Sequence, residues 1–163
     1  MDLFEKLKVM KTLLIDDDKW IRDALSLFFQ GEGCPLTTLE SAEEGLKLLE
    51  NEDFQIIIAD YFLPGITGLE FFQRIRDSHS FAIKILITAY GNNQLVTDAK
   101  KLGIHDFIEK PLSTRSIEDS LNRLLHNHKQ GIESTIFKHR DSAKKHWRSL
   151  MLNFENLSRR NKK

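Results

Sequence analysis

Short apolar runs in this chain stop at residues suited to handling a phosphoryl group. Thr12–Ile15 leads into Asp16, Asp17 and Asp18; Phe54–Ala59 stops at Asp60; Ile83–Ile87 stops at Thr88; Asp106–Glu109 stops at Lys110, followed by Pro111. A carboxylate can take up a phosphoryl group as an acyl phosphate, a form of covalent catalysis. Acceptor and donor are both anionic, so such a site needs cations. Mg²⁺ favours carboxylates together with phosphate oxygens, and adjacent acids at the end of a strand supply them. A lysine across the site adds positive charge for a phosphoryl oxygen, and a threonine hydroxyl adds a neutral hydrogen bond. Taken singly, each residue has an ordinary use. Aspartates cap helices or end strands in turns, threonine is common in strands, and a Lys-Pro pair fits a solvated loop. The joint pattern is what points to chemistry.

A scaffold has to bring these distant residues together. Lys19–Gln30 carries Ile21, Ala24, Leu25, Phe28 and Phe29 at helical spacing and is closed by Gly31 and Gly33. Pro35–Leu39 reads as a weak strand, placed at a sheet edge by its proline and threonines. Ser41 with Glu44 is a capping-box signature opening a helix over Ala42–Asn51. The almost continuous apolar run Phe54–Ala59 predicts a central parallel strand covered on both faces. Pro64, Gly65 and Gly68 mark a loop, and helical patterns follow over Leu69–Asp77, Asn92–Leu102 and a last segment capped by Ser113 or Thr114. Asp2–Lys8 reads as a short helical turn. Strict alternation of strand and helix predicts an α/β fold with a parallel sheet. In such sheets, ligands bind outside the carboxyl ends of the strands.

Bulk properties agree with a globular chain: 29% of residues are charged and 40% hydrophobic. No apolar run approaches a membrane span, and the first ten residues have no signal-peptide core. The single cysteine, Cys34, excludes an internal disulfide and suits a cytoplasmic compartment. The net charge of zero conceals an asymmetry. Residues 1–128 hold 14 Lys and Arg against 21 Asp and Glu, whereas 129–163 hold 10 against 3. The charge shift separates an acidic domain (10–127) from a basic tail (128–163), and because Met10-Lys11-Thr12 leads directly into the first strand, residues 1–9 read as an added N-terminal extension.

At the strand ends the chain resembles the receiver domain of two-component response regulators. The matching segments are Leu13–Asp18, Ile57–Asp60 with Leu63-Pro64-Gly65 and Gly68-Leu69-Glu70, Ile85–Ala89, and Phe107–Pro111. The resemblance implies a flavodoxin-like five-stranded sheet of order 2-1-3-4-5 with helices on both faces, and a cytoplasmic phosphoprotein that signals by conformational change. It makes Asp60 the phosphoacceptor. Asp17, Asp60 and the Phe62 carbonyl become Mg²⁺ ligands, with Asp16 acting largely through water. Thr88 and Lys110 contact the phosphoryl group, and Phe107 becomes the aromatic switch. It also implies a cis Lys110-Pro111 bond, a sensor histidine kinase or phosphotransfer protein as donor, and output through Asn92–Leu102, Asp106–Glu109 and Thr114–Asn127. Phe62 and Tyr90, two residues beyond Asp60 and Thr88, are expected to slow dephosphorylation by shielding the site from water. Thr67 departs from the family, which often has aspartate there. Only 35 residues follow position 128, so the resemblance implies a single-domain regulator without a separate output domain.

The tail repeats Ile136, Ala143, Trp147, Leu150, Phe154 and Leu157 at steps of three, four or seven, interrupted by Arg140. This is the pattern of an amphipathic helix with a basic opposite face. Such a helix can pack on its own domain, form a homodimer, or bind a downstream protein or, more weakly supported, nucleic acid. Two rival readings follow. A haloacid-dehalogenase-like phosphatase would use Asp16 and Asp18 as an Asp-x-Asp pair with Thr88 and Lys110, but it leaves Asp60 idle and lacks a later acidic motif. A DNA-binding transcriptional regulator would act through the basic tail.

Overall fold

The computed structural model describes residues 2–89 and 91–136. Five strands, β1 (Thr12–Ile15), β2 (Leu36–Leu39), β3 (Ile56–Asp60), β4 (Ile83–Thr88) and β5 (Asp106–Glu109), form one parallel sheet in the order β2-β1-β3-β4-β5. Among the described residues six helices connect or flank them: α1 (Leu3–Leu7), α2 (Lys19–Gly31), α3 (Ala42–Leu49), α4 (Gly68–Arg74), α5 (Asn93–Lys101) and α6 (Thr114–Ile136). Every residue of β1, β3 and β4 is buried, as expected for strands covered on both faces. The threonine-containing β2 is partly exposed at the sheet edge. The flavodoxin-like order expected from the sequence is the observed one.

Side-chain alternation splits the core in two. Leu14, Ile56, Ile58, Ile85 and Ile108 face a cluster completed by α1, α2 and α6 through Leu3, Leu7, Leu25, Phe29, Ile117 and Leu121. Leu13, Ile15, Ile57, Ala59 and Leu86 face a second cluster completed by Leu49, Phe71, Phe72, Ile75 and Ala99 from α3, α4 and α5. The N-terminal segment read as an added extension is thus packed into the first cluster. Asp2 caps α1 by accepting from Phe4 and Glu5 N–H groups, and the Phe4 ring meets Phe28 edge-on. At the other end, α6 runs unbroken through His128–Gly131. The change in charge there does not coincide with an end of helix. The tail positions from Ala143 to Leu157 lie outside the described residues.

Lys84 is a buried cation that the sequence pattern hides inside an apolar strand. It is 2% exposed, and its Nζ donates to the carbonyls of His79 (2.7 Å) and Ala82 (3.4 Å). Burial lowers its pKa from 10.5 to about 8, a penalty of about 3 kcal/mol on the charged form. The His79 carbonyl also accepts from the Ala82 N–H, so it keeps a partner when the ammonium is removed. Lys84→Met is therefore expected to raise the melting temperature at pH 7 by roughly 3 to 6 °C. The folded state of the unsubstituted chain binds fewer protons than the unfolded state between pH 8 and 10.5. Its stability rises through that window and the advantage of the variant fades. A variant that melts lower at pH 7 contradicts this account.

Candidate phosphoacceptor site

The carboxyl ends of β1, β3, β4 and β5 place Asp16, Asp60, Thr88 and Lys110 together at one edge of the sheet. Asp16, Asp60 and Thr88 are each at most 1% exposed. Lys110 Nζ donates to Asp60 Oδ2 at 2.7 Å and stands 4.0 Å from Asp16 Oδ2. Asp60 Oδ1 accepts from the Phe62 N–H at 3.3 Å, and Asp16 Oδ1 from the Asp18 N–H at 2.9 Å. Burial raises the Asp16 pKa to about 6, helped by the charges of Asp60 and Asp17 and opposed by the Asp18 hydrogen bond and Lys110. Burial also raises that of Asp60, although Lys110 opposes the shift. For Lys110, burial disfavours the charge, but its hydrogen bond to Asp60 and the surrounding carboxylates outweigh it, so its pKa is raised.

The cluster is short of positive charge. One oxygen each from Asp16, Asp17 and Asp60 lie within 4.8 Å of one another. Asp16 Oδ2 is buried without a hydrogen-bond partner among the described residues. An all-oxygen set with an orphaned carboxylate oxygen fits a hard divalent cation such as Mg²⁺. Asp18 plays a different part: its carboxylate caps α2 by accepting from the Trp20 N–H. The Asp16–Asp18 pair of the phosphatase reading is therefore divided, with Asp60 at the centre instead.

Local packing explains how Asp60 is held. A Cβ on Gly68, the first residue of α4, would run into the Asp60 carbonyl, and the Gly68 N–H donates to the Tyr61 carbonyl at 3.0 Å. Only glycine allows α4 to start this close to Asp60. Thr67 caps that helix in a complete capping box with Glu70. Its departure from the family pattern thus has a structural use. Gly65 adopts a positive φ of 82°, which favours glycine, and Glu43 of α3 accepts from the adjacent Ile66 N–H at 3.1 Å. Arg22 donates to the Asp16 carbonyl at 2.7 Å and approaches Glu40 at 3.5 Å. Sequence reading assigned nothing to Arg22 or Glu43, because each acts on backbone distant in sequence or a helical turn away. The Lys110-Pro111 bond is cis, as the resemblance implies.

Two further expected residues are neighbours across strands. Phe107 pairs with Leu86, and Thr88 lies two residues beyond Leu86 on the same sheet face. Phe107 is half-buried against the second core cluster. Next to it, the Asp106 carboxylate accepts from the Phe107 N–H, Ser120 Oγ and Arg123, the last two at 2.6 Å. This ties the strand bearing Phe107 to α6. The Phe62 ring is 55% exposed at the mouth of the site and meets Tyr61 edge-on. Tyr90 lies outside the described residues.

The model of the response regulator receiver domain matches residues 12–122. Over 113 residues the chain is 37% identical to the transcriptional regulatory protein AfsQ1 of Streptomyces coelicolor, spanning 69% of this chain and 50% of that protein. Over 114 residues it is 31% identical to the transcriptional regulatory protein FixJ of Bradyrhizobium diazoefficiens, spanning 68% of this chain and 56% of that protein. It thus spans about half the length of these relatives. Among solved structures, the Vibrio cholerae chemotaxis protein CheY4 superposes with a TM-score of 0.66 at 26% identity, covering 70% of this chain and 97% of that one.

Proposed function

The chain belongs to the response regulator receiver family, and from that premise we propose that Asp60 accepts a phosphoryl group from a phosphohistidine on a sensor histidine kinase or phosphotransfer protein. The observation that supports this reading best is the buried Asp60 carboxylate, joined to Lys110 at 2.7 Å and clustered with Asp16 and Asp17. In the proposed reaction an Asp60 oxygen bonds to phosphorus as the phosphorus–nitrogen bond breaks, and the leaving imidazole takes up a proton. Lys110 exchanges part of its contact with Asp60 for a phosphoryl oxygen, and the Thr88 hydroxyl donates to another. Asp16, Asp17, Asp60 and the Phe62 carbonyl would hold Mg²⁺, whose charge offsets that of the incoming group. The chain acts as a switch that catalyses only its own phosphorylation and dephosphorylation.

Movement of Thr88 toward the phosphoryl group frees space on the sheet face it shares with Phe107. The aromatic ring then turns inward, a two-state change biased by contacts made only in the phosphorylated form. Phe62, two residues beyond Asp60, and Tyr90, two residues beyond Thr88 in sequence, offer no carboxylate or carboxamide to orient an attacking water, which favours a long-lived acyl phosphate.

Intact-mass measurement after incubation with a small acyl phosphate tests the reading. With Mg²⁺ the chain should gain one phosphoryl group, about 80 Da, mapped to the peptide containing Asp60. With a chelator present it should gain none. Equal uptake in both conditions, or a label elsewhere, overturns the assignment.

A further inference from the structure

Arg22 of α2 brings a largely buried guanidinium to the backbone of the acidic cluster. Its side chain is 17% exposed. Nη1 donates to the Asp16 carbonyl at 2.7 Å, and Nη2 stands 3.5 Å from Glu40 at the end of β2. That carbonyl oxygen lies in the rigid peptide plane that joins Asp16 to Asp17. The preceding plane is held too, because the Asp16 N–H donates to the Leu39 carbonyl at 3.1 Å. Two more bonds close the turn. Asp16 Oδ1 accepts from the Asp18 N–H, and the Arg22 N–H donates to the Asp18 carbonyl at 3.1 Å. Arg22 thus grips the turn between β1 and α2 twice, once by its side chain and once by its backbone.

Asp17 is exposed, so the direction of its carboxylate depends on the peptide from which it departs. One of its oxygens nevertheless lies within 4.8 Å of oxygens of Asp16 and Asp60. A guanidinium suits the task, since its planar fork can bond a carbonyl while facing a carboxylate. Charge alone would argue against an arginine here, because a positive group beside a cation site repels the ion. We propose that Arg22 is a positioning residue for the divalent cation, holding the Asp16–Asp17 peptide so that both carboxylates converge with Asp60. This role rests on the reading of Asp16, Asp17 and Asp60 as a cation site. Positioning and charge predict opposite signs for removal of the guanidinium: lost positioning loosens the ion, whereas lost repulsion tightens it.

Mn²⁺, which favours the same oxygen ligands as Mg²⁺, serves as the probe, because its paramagnetic resonance signal reports the free ion. The full chain is titrated at neutral pH without any phosphodonor, and thermal melts check that each protein is folded. Arg22→Met keeps much of the apolar stem and should bind Mn²⁺ about tenfold more weakly, the scale of losing a group that orients a metal ligand. Arg22→Lys, which keeps the charge and one point donor, should fall between that variant and the unsubstituted chain. Arg22→Gln, neutral and shorter, should weaken binding in the same way and replaces the methionine variant if that does not fold. A folded neutral variant that binds Mn²⁺ as tightly as the unsubstituted chain, or more tightly, overturns the positioning role. A different result overturns the cation site itself, and the role with it: Mn²⁺ binding by the unsubstituted chain that Mg²⁺ does not displace, or that Asp17→Ala does not weaken.

Discussion

Asp60→Asn is expected to take up no phosphoryl group, while Lys110→Ala, with its acceptor intact, takes it up at least about a hundredfold more slowly. The first effect is one of chemistry, because a carboxamide lacks the anionic oxygen that attacks phosphorus. The second is electrostatic. Lys110 Nζ lies 2.7 Å from Asp60 Oδ2 and 4.0 Å from Asp16 Oδ2, so it stands where charge would accumulate during the proposed transfer. Losing one such preorganised donor costs about 10²- to 10³-fold in rate. Lys110→Arg should recover only part of the rate. The guanidinium keeps the charge, but its planar fork does not fit a point-charge position. Backbone support is retained in both variants, since the Lys110 N–H donates to the Thr88 carbonyl at 2.9 Å. Quenched-flow mass measurement with a small acyl phosphate, alongside thermal melts, separates slow chemistry from misfolding. A folded Lys110→Ala that is phosphorylated at the normal rate removes Lys110 from the chemistry.

The convergence of Asp16, Asp60, Thr88 and Lys110 was legible because each stands at the end of a strand. The apolar run before Asp60 could hardly be anything but a central strand, and a parallel sheet then fixes which end of it meets the ends of β1, β4 and β5. What the sequence hides is contact made across the fold. The Ser-x-x-Glu pattern at Ser41 and the Thr-x-x-Glu pattern at Thr67 look alike. Thr67 and Glu70 complete both reciprocal bonds, while the Ser41 side chain accepts from the Glu44 N–H. Glu43 reaches the loop after Asp60 only because α3 packs beside α4. Lys84 sits in an apolar run that gives no hint its ammonium turns back to the end of a neighbouring turn. The boundary near His128 followed charge, yet helix formation is indifferent to a change from acidic to basic residues. Lys, Arg, Glu and Gln have similar helical propensity, so α6 continues.

In metal-free solution at pH 7, Asp16→Asn is expected to melt at a higher temperature than the unsubstituted chain, by roughly 5 °C. Asp16 is fully buried, its Oδ2 lacks a hydrogen-bond partner among the described residues, and Asp60 and Asp17 add like charge. Its folded pKa of about 6 lies above the ordinary 3.8. Below about pH 4 both states hold the proton and no penalty arises. Between about pH 4 and 6 the folded state binds more protons than the unfolded one, so stability falls as pH rises. Above about pH 6 the full penalty, about 2 to 3 kcal/mol, is present. Asparagine keeps the Oδ1 that accepts from the Asp18 N–H and removes the charge. The advantage should therefore be small at pH 4.5 and reach its maximum by pH 7. Millimolar Mg²⁺ should reverse the order, because a cation that binds only the folded form stabilises it by mass action, and the variant has lost one of the anionic oxygens that attract it. Site and fold make opposing demands on Asp16: the burial and repulsion that weaken the metal-free protein also draw the cation in. Thermal melts in chelator and in Mg²⁺ at the two pH values measure both sides. A variant that melts lower at pH 7 without metal, or gains as much from Mg²⁺ as the unsubstituted chain, contradicts the assignment of Asp16.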